Sequence, residues 1–336
     1  MASVTLKDIA KECGISFSAV SKALKDSPEI GEKTIKLVKE TAERLGYHPN
    51  AAARTLRTKR SYDIGVIFED ITGSGLQHQY FARIFDAINV AANNAGYNIT
   101  FLNFNKKSRT YLAQAENRNC DGVIIASAQF ERPDIQALLA SNIPICALDY
   151  NDGGKHSTVL SDHTEGIRQL TEFAISQGHK NLAYIHGEPT NITQKRIDTF
   201  LSITAKHGIQ IPERNIREGK YHDPASSAIE TEIILDQPDS PTCIFYPDDF
   251  AALGGIRILS ALGITPGRDI SIAGYDGIFL SSLLTPPLTT YEQNAKQIGQ
   301  NLVALLLEHI ENSGTFRPVT ISVSGKFIQG KSIAKI

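Results

Sequence analysis

The sequence predicts a multidomain chain: an all-α helix-turn-helix head followed by two α/β lobes built on parallel sheets. Three observations predict it. Helical periodicity up to Leu45 is punctuated by Gly14 and Gly46. From Asp63 onward, short apolar runs alternate with helical patterns, as in parallel strands covered on both faces. The charge is also divided: residues 1–60 carry 12 Lys and Arg against 7 Asp and Glu, net +5, leaving 22 against 29, net −7, for residues 61–336. A basic head on an acidic body suits a polyanionic partner at one end only.

At 336 residues the chain has room for two or three domains, and 41 % hydrophobic with 21 % charged residues reads as globular. No early stretch joins a basic start, an apolar run and a small-residue cleavage site, and no run of about 18 apolar residues occurs. A cytoplasmic protein with no membrane partner is expected. Cys13, Cys120, Cys146 and Cys243 lie far apart among apolar residues, which predicts reduced, buried thiols and no metal.

In the head, Thr5 and Asp8 form a capping-box pair, and Leu6, Ile9, Ala10 and Cys13 recur at helical spacing until Gly14 stops the helix. Ser16 caps a second helix whose Ala19, Val20, Ala23 and Leu24 share one face. Phe17, Ser18, Ser21 and Lys22 look outward, where a recognition helix presents side chains to base edges. A third helix spans about Glu32 to Leu45 and ends at Gly46. After Pro49, Asn50 can cap a helix of barely two turns with almost no apolar face, which should order only against a partner.

In the body, strands are predicted at Ile64–Phe68, Ile99–Phe104, Gly122–Ile125, Pro144–Leu148 and Thr158–Leu160. They alternate with helices near Tyr80–Ala95, Ser108–Asn119 and Pro133–Ser141. A second set has strands at Leu182–Ile185, Thr242–Tyr246 and Ile270–Gly274, with helices near Thr164–Gln177, Gln194–His207, Ala225–Leu235 and Phe250–Leu262. A long amphipathic helix from about Asn294 to Glu311 and a strand Val319–Val323 follow. Two such sets argue two lobes, with ligand outside the carboxyl ends of the strands. The expected division is a head at 1–46, a hinge helix and linker at 47–61, and a two-lobed body at 62–336. One lobe takes about 62–161 plus a return near 289–320, and the other takes 162–288 plus the C-terminus.

Several segments together resemble the LacI/GalR family of bacterial transcription regulators. They are Val4 to Ala10, Gly14-Ile15-Ser16, Ala19 to Leu24, Leu45 to Leu56, Asp121-Gly122-Val123-Ile124, Gly178 to Ala183, Arg196, Asp248 to Gly254 and Asp269 to Asp276. The resemblance implies a periplasmic-binding-protein-like body and a homodimer on a near-palindromic operator of double-stranded DNA. DNA contacts would come from Thr5, Ser16, Phe17, Ser18, Ser21 and Lys22 in the head. In the hinge they would come from Asn50, Ala53, Arg54, Leu56 and Arg57, with Leu56 wedged between base pairs. Lys22 can donate to guanine, and Phe17 offers an apolar surface to a thymine methyl.

By the same resemblance Asp149, Arg196, Asp248 and Asp276 line an effector cleft closed by the Asp70–Tyr80 loop. That loop departs from the family's shorter, aromatic one and makes His78 and Tyr80 contacts particular to this chain. Carboxylates and an arginine fork suit paired sugar hydroxyls. With no Trp, stacking on a sugar falls to Phe250, Tyr221 or Phe279. The implied function is repression of carbohydrate-utilisation genes, relieved by a small sugar-like effector. The alternative is corepression by a non-sugar metabolite or a phosphorylated carrier protein. An enzyme or a free sugar-binding module is the remote alternative: no phosphate-binding G-x-x-x-x-G-K-[ST], G-x-S-x-G or metal-ligand spacing occurs, and no cofactor is implied.

Overall fold

The computed structural model describes residues 4–24, 26–47, 60–70, 73, 75–103 and 110–336, which fall into two compact units, 1–61 and 62–336. The expected hinge helix, with Asn50, Ala53, Arg54, Leu56 and Arg57, lies outside the described residues.

The first unit holds α1 (Leu6–Cys13), α2 (Phe17–Ala23) and α3 (Glu32–Leu45). The Asp8 carboxylate accepts both the Thr5 N–H and the Thr5 hydroxyl at 2.8 Å, which fixes the start of α1 and lowers the Asp8 pKa. Gly14 at φ 67° turns the chain through the left-handed region, where a side chain would be strained. Ser16 Oγ then accepts the Ala19 N–H at 3.2 Å and starts α2. Ile9, Val20, Ala23, Val38 and Ala42 close the core, so one face of α2 is committed to packing and the other is left outside.

The second unit contains two parallel sheets. The first is six-stranded, in order β11-β5-β4-β3-β1-β2, from β1 (Asp63–Phe68), β2 (Asn98–Leu102), β3 (Gly122–Ser127), β4 (Ile145–Leu148), β5 (Ser157–Ser161) and β11 (Thr320–Val323). Its faces alternate along each strand: Ile124 faces a cluster with α4 (Gln79–Asn94) and α12 (Ala295–Glu311). Val123 and Ile125 face α5 (Tyr111–Asn117) and α6 (Pro133–Leu139). The second sheet is four-stranded, in order β7-β6-β8-β9, from β6 (Leu182–His186), β7 (Ile216–Glu218), β8 (Cys243–Phe245) and β9 (Ser271–Ala273). α7 (His163–Ser176) and α8 (Asn191–Lys206) cover one face, and α9 (Pro224–Leu235) and α10 (Asp249–Ala261) the other.

Three features depart from the expected pattern: β7, the short α11 (Phe279–Leu283), and an antiparallel ribbon of β10 (Thr290–Glu292) and β12 (Lys326–Ile328). Each is three to five residues long, too short to show a period. Cys146 and Cys243 are buried as expected, but Cys13 and Cys120 are only half-buried. Burial still pushes the Cys120 thiol up to about 12. Among the described residues no helix is long and apolar enough to cross a membrane.

The chain passes between the sheets three times, after Ser161, after Glu292 and after Val323, and the passages are laced together. Ser161 Oγ donates to Gln293 Oε1, the Asp162 N–H donates to Val323 O at 3.0 Å, and Ser324 Oγ donates to Asp162 Oδ2 at 3.3 Å.

Gly254 marks the tightest packing in the second lobe: a Cβ there would lie 1.7 Å from Pro224 O, so α10 crosses α9 in backbone contact. Gly254→Ala should therefore cost more than about 2 kcal/mol of stability. Gly314→Ala, where nothing lies within 4 Å, should stay within about 0.5 kcal/mol. Urea denaturation of the two variants checks the difference.

Candidate functional site

On the head, the outer face of α2 leaves Ser16, Phe17, Ser18 and Lys22 exposed and Ser21 half-buried. Phe17 is 51 % exposed, a large aromatic side chain turned to solvent beside an otherwise polar set. Lys22 pairs with Glu29, but the side chains are about half and two-thirds exposed, so the pair contributes little. Thr5 sits at the start of α1, its hydroxyl donated to Asp8.

In the second unit the carboxyl ends of both sheets converge on a cavity of about 170 Å³. From the first sheet come Phe68 at the end of β1 with Glu69 and Asp70 after it, Ser127 at the end of β3 and Asp149 after β4. From the second lobe come His163, Glu188, Thr190, Ile192, Arg196, Tyr221 and Asp276, and His78, Tyr80, Phe81 and Gln293 complete the lining. Parallel strands end with their loops on one edge of the sheet, which is why residues so far apart in sequence meet.

Arg196 is the centre of this set. It is 4 % exposed on α8, and its Nε and Nη2 lie 3.3 and 3.2 Å from His163 Nδ1. Its Nη1 donates to Pro247 O at 3.1 Å, and the guanidinium lies 3.8 Å from the Tyr275 ring centroid. Burial and then the Arg196 charge lower the His163 pKa. With Nδ1 accepting from Arg196, the network assigns the proton to Nε2, which faces Asp149 Oδ2 at 3.4 Å.

Asp149 Oδ1 accepts the Ser161 N–H at 2.7 Å. Asp276 Oδ1 accepts from Gln293 Nε2 at 2.6 Å, and Gln293 in turn accepts from Ser161, so a buried chain of hydrogen bonds runs from one lobe to the other. Glu188 Oε2 accepts the Tyr221 N–H at 3.0 Å, and the Tyr221 hydroxyl meets Thr193 Oγ1 at 2.9 Å. Glu69 is occupied elsewhere, accepting from Tyr111 at 2.9 Å and Arg132 at 2.6 Å. Asp70 accepts the Gly75 N–H. Asp149, His222 and Asp276 all hold φ between 53° and 97°, backbone that Asp and His tolerate better than most. Strain of this kind clusters at ligand sites.

Asp70, His78, Tyr80, Asp149, Arg196, Tyr221 and Asp276 line the cavity, whereas Asp248 and Phe250 do not. Asp248 is the N-cap of α10, accepting the Ala251 N–H and the His222 N–H at 2.7 Å each; burial and then Asp276 raise its pKa. Phe250 stacks on His222 with centroids 4.1 Å apart, and His222 stacks on His78 at 4.5 Å. The three rings form a column from one lobe to the other. Phe279 is 74 % exposed on α11 and takes no part. His163, Glu188 and Gln293 were not signalled by any local pattern; only their positions just beyond strand ends mark them.

A helical head with an outward recognition face, joined to an α/β body whose two sheets share one polar cavity, defines a ligand-responsive regulator class. Residues 5–50 match the profile of bacterial regulatory proteins of the lacI family, and residues 171–333 match a periplasmic binding protein-like domain. The HTH-type transcriptional repressor PurR of Pasteurella multocida is 31 % identical over 98 % of both chains. The probable HTH-type transcriptional repressor ExuR of Bacillus subtilis is 33 % identical over 91 % of this chain and 92 % of its own. Among solved structures, the lac repressor dimer bound to operator and the anti-inducer ONPF superposes with a TM-score of 0.84 at 26 % identity, covering 99 % of this chain and 100 % of that one. The chain belongs to the LacI family.

The ring column has a pH signature. Burial, and then His78, hold the His222 imidazole down at about 4, against the opposing pull of Asp276 and Asp70. A histidine held below its ordinary 6.5 contributes stability that is intact above that value and is lost as pH falls toward 4. The thermal midpoint should therefore drop between pH 7 and pH 5. His222→Asn, which keeps a residue tolerant of positive φ, should show a smaller drop; an unchanged drop would remove His222 from the account.

Proposed function

We propose that the chain is a sequence-specific transcriptional repressor that binds a near-palindromic operator as a dimer and is released by a small sugar-like effector held in the inter-lobe cavity. The observation that carries the reading is the exposed Phe17, Ser18 and Lys22 set on a capped second helix, borne by a unit separate from the cavity. Phosphate contacts would fix the head on the duplex and these side chains would read base edges. The lac repressor likeness supports the operator and the dimer. On this reading the protein works in the cytoplasm and does no catalysis.

Control would follow from linkage. A ligand touching both sheets prefers one lobe arrangement, and the Asp276–Gln293–Ser161 chain and the ring column both span that junction. By reciprocity, the effector then binds differently to operator-bound and free protein. Leu56, in the hinge segment, would pass the lobe arrangement to the DNA.

Anisotropy titrations on an operator selected from random duplexes, between about 50 and 200 mM salt, test the reading. Phe17→Ala and Lys22→Ala should each weaken the selected site by about tenfold to a hundredfold and relax base preference at the contacted position. Leu56→Ala should weaken binding and blunt the effector response. Wild-type protein that shows no preference over scrambled duplex would end the regulator reading.

A further inference from the structure

The cavity also carries information about the charge of its ligand, an inference that rests on its reading as the effector site. Among the described residues, five carboxylates line it, Glu69, Asp70, Asp149, Glu188 and Asp276, against one arginine and no lysine. Glu69 is paired with Arg132. Among the described residues, Glu188 Oε1 and Asp276 Oδ2 have no hydrogen-bond partner, and Asp149 Oδ2 has only the 3.4 Å contact with His163. The cavity therefore presents acceptor oxygens in need of donors.

Arg196, the group an anion would require, is already committed. Nε, Nη1 and Nη2 all engage protein acceptors, and one face is covered by Tyr275. His163 Nδ1 faces the Arg196 guanidinium, and burial and then that charge lower its pKa, which disfavours a second positive charge here.

A second, independent observation points to a bound molecule. Among the described residues, Tyr80 Oη and His78 Nδ1 are buried polar atoms without partners, both residues are 7 % exposed, and both line this cavity. A buried polar group left unpaired is costly, and ligand atoms at these two points would relieve it. Phe68, Phe81 and Ile192 supply an apolar wall for the carbon face of a ring. The volume, about 170 Å³, is close to the roughly 150 Å³ of a cavity that takes up benzene, enough for one ring.

We propose that the effector is a single ring rich in hydroxyl or amino donors and free of carboxylate, phosphate and sulfate. Hydroxyl or ammonium donors satisfy the open oxygens of Asp149, Glu188 and Asp276, while Tyr80 and His78 fix the ring's orientation. An anionic substituent would meet like charge in a partly desolvated space with no free guanidinium fork to receive it.

The test uses the full-length protein and matched sets of glucose, galactose, mannose, xylose and ribose with their amino, uronate and phosphate counterparts. Calorimetry at fixed ionic strength measures affinity, and operator anisotropy is read on the same samples. At least one neutral or amino member should bind, and its uronate and phosphate counterparts should bind about a hundredfold more weakly or worse. Tyr80→Phe should weaken that ligand by about tenfold, and Asp276→Asn should narrow the gap between the neutral compound and its anionic counterpart. A uronate or phosphate that binds as tightly as its neutral partner overturns the proposal. So does a panel with no neutral or amino binder while operator preference is retained, and in both cases the regulator reading survives. Loss of operator preference itself would strike that reading instead.

Discussion

The second unit is assembled around a buried positive charge to which, among the described residues, no carboxylate is bonded. Arg196 is held by an imidazole, a backbone carbonyl and an aromatic face, and through them it joins α8 to the start of α7, to the loop after β8 and to the segment after β9. Guanidinium suits this position because it is planar, presents donors in fixed directions and stacks on rings; an ammonium would satisfy none of these geometries together. Removing the imidazole or the carbonyl would leave an unpaired charge in the interior, which is far more costly than losing an exposed ion pair. The cavity's shape and its charge balance both follow from where this one side chain is fixed.

What Arg196 does for one lobe, Gln293 does between lobes. It accepts from Ser161 at the end of β5 and donates to Asp276 beyond β9, so the two sheets meet at a side-chain amide whose donor and acceptor ends are both used. The column of Phe250, His222 and His78 is the aromatic counterpart on the other side of the cleft. One junction is made of directional hydrogen bonds and the other of stacked faces, which constrain direction less closely.

Much of the head was legible because its signals are local. Thr5 and Asp8 are three residues apart, Gly14 and Gly46 end helices at the position where only a left-handed residue fits, and the apolar spacing of α2 says which side is left outside. The long strands and helices of the body were legible for the same reason. Three-residue elements such as β7 and the β10–β12 ribbon were not, because they are stabilised by neighbours distant in sequence. The cavity was partly legible: Asp149, Arg196, Tyr221 and Asp276 do meet there, while Asp248 is taken up in capping α10 and Phe250 in stacking on His222. His163, Glu188 and Gln293 could not be singled out, since an isolated polar residue after a strand has no periodic signature and gains meaning only when the sheets are placed.

The three laced passages between the lobes form a three-ply junction. A single strand would hold the lobes at one point, whereas three strands cross-tied through Asp162, Gln293 and Ser324 hold them along a line of contacts. Gln293 belongs to both the cavity lining and this junction, whereas Asp162 and Ser324 tie the passages without lining the cavity. Lining side chains such as Tyr80 and Ile192 take no part in these ties, so they are the positions at which the cavity could be altered while the cross-tied passages are kept.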